Sequence, residues 1–246
     1  MSRKVFAVLA LASMAGKVTS CSPAPEPSGE PSALADLISL PGFSPLDSCS
    51  EPPAQKLWQT GETFTTEFVQ GGVAQGQTLS RVIREEAGTV WVSEERIAQG
   101  NERPFGSQRT AALHLGLFAA GHRSEPPQES WRQYTFPADM AERVRQLQVG
   151  ESATFPVTED TLFNDSPKTS SGEFTVTLLG CGDLAGAQGE SRPVHVLEVE
   201  GFYRAYRAGP PPTDEVLSSH EIIGVDTAVG TRLFTGRADS WVVTRS

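Results

Sequence analysis

From residue 56 to the end of the chain, hydrophobic and polar positions mostly alternate with a period of two, the signature of strands with one buried face. Thr63–Phe68 sets Phe64 and Phe68 on one side and Thr65 and Glu67 on the other. Gln77–Glu86 and Thr89–Ile97 form a pair across Ala87-Gly88, a dipeptide suited to a hairpin turn. Gly172–Leu179 is the clearest strand, with Phe174, Val176 and Leu178 opposed to Glu173, Thr175 and Thr177. Val194–Tyr206 reads as a long strand. Glu221–Val225, Thr231–Thr235 and Ser240–Thr244 continue it as a meander, the first two joined by the turn Asp226–Gly230. The pattern predicts a mainly β domain: an antiparallel curved sheet, half-barrel or sandwich with one or two short helices.

Two segments depart from period two. Ala138–Gln148 reads as a short helix, because Met140, Val144 and Leu147 recur at helical spacing and Gly150 stops it. Ser107–Gly121 carries Ala111, Ala112, Leu113, Leu115, Leu117 and Phe118 without a clean stripe and is read as a second helix. The acidic stretch from Thr158 to Ser171 is read as a loop, and Gly180-Cys181-Gly182-Asp183 as a turn. A faint echo links Leu57-Trp-Gln-Thr-Gly61-Glu62-Thr to Leu147-Gln-Val-Gly150-Glu151-Ser, each placed before a strand bearing Phe64 or Phe155. It predicts either two similar β units, 56–137 and 138–246, or a chance likeness in a chain with 23 glycines.

The chain opens differently. Ser2-Arg3-Lys4 is basic, Val5 to Gly16 is apolar, and Val18-Thr19-Ser20-Cys21 follows. The apolar run has the length of a signal-peptide core and is well short of the ~20 residues a spanning helix needs. Val18–Cys21 resembles the bacterial lipobox, in which the cysteine is acylated and becomes the mature N-terminus; palmitate-class chains on Cys21 are what that resemblance implies. The alternative is an ordinary signal cleaved after a small residue such as Ser20. Ser22 in the second mature position is similar to the pattern of outer-membrane sorting, which implies an envelope protein facing the periplasm. Residues 21–55 begin with a Pro-, Ser- and Glu-rich stretch that cannot bury enough surface to fold, so the segment is read as a tether. Ala33–Leu40 allows one helical turn within it.

Composition fits a folded domain behind that leader: 38% hydrophobic, 8% aromatic and 20% charged residues. Removing residues 1–20 takes away Arg3, Lys4 and Lys17 and no acid, so the formal charge moves from −10 to −13. That balance argues against nucleic acid and anionic membrane surfaces as partners. With Cys21 acylated, two of the three cysteines remain, Cys49 and Cys181. In an export compartment they form either a structural disulfide, the reading preferred here, or two separate buried thiols.

Phe136-Pro137, Val149-Gly150-Glu151, Gly172-Glu-Phe-Thr-Val-Thr and a last hairpin built around Asp226-x-x-x-Gly230 together resemble a loose group of uncharacterised β-rich bacterial envelope lipoproteins. The likeness runs from Phe136 to Ser246. In that group the last hairpin commonly reads Tyr-x-Pro-x-x-Gly, where this chain has Val225-Asp226-Thr227. The resemblance implies a curved antiparallel sheet and no particular activity.

Chemical motifs are sparse. The chain holds no Gly-x-Ser-x-Gly, no Gly-x-x-x-x-Gly-Lys-Ser/Thr and no Gly-x-Gly-x-x-Gly. Its histidines, His114, His122, His195 and His220, lack metal-ligand spacing and read as structural. Glu159, Asp160 and Asp165 form the densest acidic cluster, without the Asp-x-Asp-x-Asp-Gly order of a calcium loop. Trp58, Trp91, Trp131 and Trp241 read as core residues. No catalytic residue, metal ligand or cofactor is therefore expected, and the assigned sites are Cys21 for lipidation and Cys49 with Cys181 for a disulfide. The sequence predicts a non-catalytic lipid-anchored scaffold touching the membrane through its lipid and other envelope proteins through its sheet. The alternative is a carrier with an apolar ligand in a half-barrel, and a hydrolase with a dispersed site ranks below both. A connected cavity over the sheet separates carrier from scaffold.

Overall fold

The computed structural model describes residues 31–49, 52–97, 109–124, 130–163, 166–186, 189–207, 213–238 and 240–245. Cys21 and the leader lie outside them, as does Asp165. The N-terminal part carries α1 (Pro31–Leu37) and β1 (Phe43–Leu46). Six strands follow: β2 (Thr63–Gln70), β3 (Val73–Glu86), β4 (Thr89–Ile97), β5 (Arg109–His114), β6 (Phe118–Ser124) and β7 (Ser130–Thr135). After α2 (Met140–Arg145) come β8 (Ser152–Phe163), β9 (Ser166–Ala185), β10 (Ser191–Arg207), β11 (Thr213–Asp226), β12 (Arg232–Arg237) and β13 (Ser240–Arg245). The domain is mainly β with two short helices.

Each strand from β2 to β13 pairs antiparallel with the next, and β13 pairs back onto β2, from Ser240 opposite Gln70 to Arg245 opposite Thr65. Curvature therefore runs to closure, and twelve strands make a barrel. Closure leaves no open concave face and no long unpaired edge to template association. One edge of β9 is shared: β8 pairs with its first part up to Thr177, and β1 pairs with Cys181 to Leu184. The disulfide joins Cys181 to Cys49, just beyond β1. The outward side of β8 and β9 is polar: Ser152 meets Thr177, Thr154 meets Thr175 and Thr169 donates to Asp160. A membrane barrel carries apolar side chains there.

Strands β9 to β11 are apolar on both faces, which one-sided alternation does not produce. Val176, Leu178, Leu197, Val199, Ile223 and Val225 face the lumen, where they pack with Phe118, Phe155 and α2. Alternate residues, Val194, Val196 and Ile222, face away and pack with Phe234, Trp241, Val243, Leu34 of α1 and Ile38 just after it. A third cluster of Val82, Val90, Val92 and Ala111, with Trp58 and Phe64, fills the β2–β5 side. Helix α2 buries Met140 and Val144 and is held by Arg143, which donates to Thr154 O and lies over the Phe155 ring, and by Arg145, which donates to Pro53 O.

The two six-strand runs share backbone detail. Ile83 in β3 and Leu179 in β9 are each the extra residue of a bulge, opposite Val92–Trp91 and Leu197–Val196 respectively. Ala120 in β6 and Leu233 in β12 are likewise extra residues, opposite Ala112–Leu113 and Gly224–Val225. Trp131 and Trp241 stand opposite Arg123 and Gly236 near the start of the last strand of each run. A bulge bends and twists its strand, so matching bulges give matching bends.

Four expectations are corrected. Ser107–Gly121 is not a helix: its described part is the β5–β6 hairpin, turned by Leu115 and Gly116 at φ 56° and 70°. Thr158–Ser171 is not a loop in its described part, which is the paired ends of β8 and β9, whose alternation buries Val157 and Glu159. Gly180–Asp183 is strand, where small residues admit close neighbours: a Cβ on Gly182 would meet the Phe43 ring at 2.5 Å. The tether does not extend to residue 55, because Leu34, Ile38 and Leu40 are buried and β1 joins the sheet. Apolar residues in that segment find a face of β10–β13 that has no other cover.

Candidate functional site

Following β9 backwards from Leu178 past Val176 and Phe174, the apolar packing of the lumen gives way to a cavity of about 160 Å3. Its apolar wall is Phe136, Phe174, Val157 and Val199, with Tyr134. Phe136 and Phe174 meet edge to face at 5.3 Å, and Tyr134 stands 6.5 Å from Phe136. Polar side chains are interleaved with them: Glu159, Ser170, Ser219 and Glu221. Register explains the grouping, since Tyr134 is opposite Glu159 on β7–β8 and Glu159 is opposite Ser170 on β8–β9, so all three share one face. Gly201 provides the room, because a Cβ there would meet Ser219 Oγ at 2.9 Å and Phe174 at 3.2 Å.

Charge in the lumen is paired but not evenly. Glu159 is 4% exposed; its Oε2 accepts from Ser170 Oγ at 3.0 Å. Arg132 Nε forms an ion pair with the other oxygen, Oε1, at 3.0 Å, and that occluded atom accepts no hydrogen bond from the described residues. Glu221 accepts from Thr235 Oγ1. Arg232 is half-buried and donates to Leu117 O at 3.2 Å. Burial pushes its guanidinium below the usual pKa, opposed by the fields of Glu221 and of Glu94 from β4 across the barrel.

Two other hollows are smaller in promise. One of about 40 Å3 lies between α2, the 53–56 segment and the turns at Leu115 and Gly230, where apolar packing nearly closes it. The other, of about 140 Å3, lies among Lys56, Trp58, Phe64, Arg192 and Arg232. Its cations are engaged: Lys56 with Glu62, Arg192 with Asp226 and Arg232 as above.

The residues singled out in the sequence are dispersed. Cys49 and Cys181 are disulfide-bonded, and the ring of His195 lies within 4.8 Å of both sulfurs. A bonded cystine offers no thiolate, so this trio is not a metal centre as it stands. His220 meets Glu198 at 2.7 Å on the surface. His114 stacks on Phe136, ring centroids 4.7 Å apart, and desolvation lowers its pKa to about 4. Trp241 is buried and Trp58 packs on Phe64, whereas Arg84 covers Trp91. Asp160 faces away from Glu159, as alternation requires. The sequence reading missed Glu221 and Tyr134 and placed Glu159 in a loop; the run Phe155, Val157, Glu159 at period two was the available signal for a lumen-facing strand.

No family model and no curated protein matches the chain. Among solved structures it is similar to the hypothetical lipoprotein YmcC from Escherichia coli K12. That likeness covers 77% of this chain and 88% of YmcC at 11% identity, with a TM-score of 0.41.

Proposed function

We propose that this chain is an envelope protein, lipid-anchored at Cys21, whose barrel binds a small, partly apolar molecule without transforming it. The observation that carries the reading is the cavity lined by Phe136, Phe174 and Val199 together with Glu159 and Glu221. Its volume is close to the ~150 Å3 apolar cavity that accommodates benzene. A few placed polar groups in a mostly apolar wall are what ligand sites present. The lining has Ser170 donating to Glu159 with no imidazole between them, which supports binding over nucleophilic catalysis. Support for the compartment comes from the Val18–Cys21 motif and from the cystine, since disulfides persist in oxidising surroundings.

The test is small-molecule extraction and mass spectrometry of protein purified from membranes of its own host, beside a Val199→Trp variant that fills the cavity. The wild type is expected to carry, or to take up from added indole, one small molecule per chain that the variant lacks. Equal occupancy of the two proteins, or no uptake by either, rejects the reading. An N-terminal peptide that begins at Cys21 with acyl mass checks the anchor, and one beginning elsewhere without it rejects that part.

A further inference from the structure

We propose that Cys49, Cys181 and His195 form a redox-gated site for a thiophilic divalent ion, zinc, which opens when the cystine is reduced. The ring of His195 lies within 4.8 Å of both sulfurs. His195 stands directly opposite Cys181 in the β9–β10 register and opposite Val225 on β11, so the imidazole and the Cys181 sulfur share the lumen face. The backbone ladder holds that pair together whether or not the S–S bond is present. Cys49 is kept nearby in the same way, because β1 ends at Leu46, just before it, and pairs with Leu184 to Cys181. The donors come from three distant stretches of chain, so spacing along the sequence does not reveal them.

A dithiol reductant supplies two electrons and two protons: it becomes a disulfide, the Cys49–Cys181 S–S bond breaks, and two thiols form. Zn2+ then displaces both thiol protons and takes two Zn–S bonds and one Zn–N bond. In a tetrahedral site with Zn–S about 2.3 Å and Zn–N about 2.0 Å, donor atoms stand about 3.5–3.8 Å apart. Three donors already within 4.8 Å need little movement to reach that spacing. Two thiolates and an imidazole select zinc or copper(I) over calcium and magnesium. Zinc is assigned because it exchanges no electrons with the thiols it binds. The fourth position is left to water, the arrangement of open zinc sites. His195 also borders the hollow of about 40 Å3 beside α2, larger than the ~10–15 Å3 a water needs. Cys181 and His195 are buried and Cys49 is half-buried, which leaves an approach from solvent at Cys49.

The deciding experiment is a zinc titration of the full, exported protein against a chelating dye, without oxygen, before and after reduction by a phosphine. The reduced wild type is expected to take one Zn2+ per chain, and the oxidised protein none at the same concentration. Replacing a residue that only supports a metal ligand costs about 10–100-fold in affinity. His195→Ala and Cys181→Ser each remove a ligand outright and are expected to weaken uptake by at least about tenfold. No uptake by the reduced protein, equal uptake by the oxidised one, or uptake that either variant leaves intact overturns the site. Where a variant folds poorly, zinc-edge X-ray absorption of the reduced wild type decides. Two sulfur neighbours at about 2.3 Å with nitrogen at about 2.0 Å support the assignment, and a shell with fewer than two sulfurs overturns it.

Discussion

Glu62 and Glu151 close the same turn in the two runs of the barrel. Glu62 N donates to Gln59 O at 3.0 Å, and Glu151 N donates to Gln148 O at 2.9 Å. Each carboxylate reaches back to accept from the backbone N–H of that same glutamine, at 3.3 and 2.9 Å. The glycine just before each, Gly61 or Gly150, donates to Val82 O or Leu178 O, and those residues return a bond to the glutamate carbonyl. The turn thus fixes where β2 meets β3 and where β8 meets β9, one residue before each bulge.

Gly61 and Gly150 hold φ of 90° and 81°. An L side chain in that region costs about 1–2 kcal/mol. Gly61→Ala has open space around its Cβ, so strain alone is expected to act. Each alanine variant should lower unfolding stability in urea by about 1–2 kcal/mol, and the double variant by the sum, because the turns share no partner. A loss below about 0.3 kcal/mol at both would show that the turns are not needed to set register.

How far the sequence foretold this arrangement depended on whether local pattern or distant pairing decided each residue. The hairpin Gln77–Ile97 was legible because period two and the Ala87-Gly88 turn agree, and Ala87 and Gly88 adopt φ of 49° and 75°. Leu113, Leu115, Leu117 and Phe118 misled because a hairpin buried on both sides leaves no polar alternation. Glu159 misled in the opposite way: a charged residue beside Asp160 resembles a loop until Arg132 and Ser170 supply partners from neighbouring strands. Closure of β13 onto β2 has no local signal at all.

The cystine ties the start of the fold to β9 across 132 residues of chain. Chain-entropy estimates for a loop of that size reach about 5 kcal/mol, reduced in practice by residual structure in the reduced, unfolded chain. Paired Cys49→Ser and Cys181→Ser replacement is expected to cost about 2–4 kcal/mol in urea denaturation. Its far-ultraviolet circular dichroism is expected to stay that of the wild type, since α1 and β1 retain their own contacts. A double-serine variant as stable as the parent would mean that packing of Leu34 and Ile38 alone holds the segment.

Helix α1 can be tested by a contrast between two aliphatic residues. Ile38 is buried against Trp241 and its neighbours, whereas Leu57 is 77% exposed. Truncation of a buried isoleucine to alanine costs about 2–5 kcal/mol, and surface truncation stays within about 0.5 kcal/mol. Ile38→Ala should therefore destabilise strongly and shift the Trp241 emission, while Leu57→Ala should do neither. Similar small effects from both would restore a free tether up to residue 40.

His114 makes stability depend on pH. Its ring is buried, stacked on Phe136, and its Nε2 has no protein partner, so burial lowers its pKa from 6.5 to about 4. In the unfolded chain the ring takes up a proton as pH drops through 6.5, while in the folded chain it resists until about 4. The unfolded state then binds more protons, so stability is complete above about pH 7 and falls as pH drops from 6.5 towards 4. The difference corresponds to at most about 3 kcal/mol. Urea midpoints measured from pH 7.5 to 4.5 should fall for the wild type and fall less for His114→Phe, which keeps the stacking on Phe136 but cannot be protonated. Parallel curves for the two proteins would place the acid sensitivity outside His114.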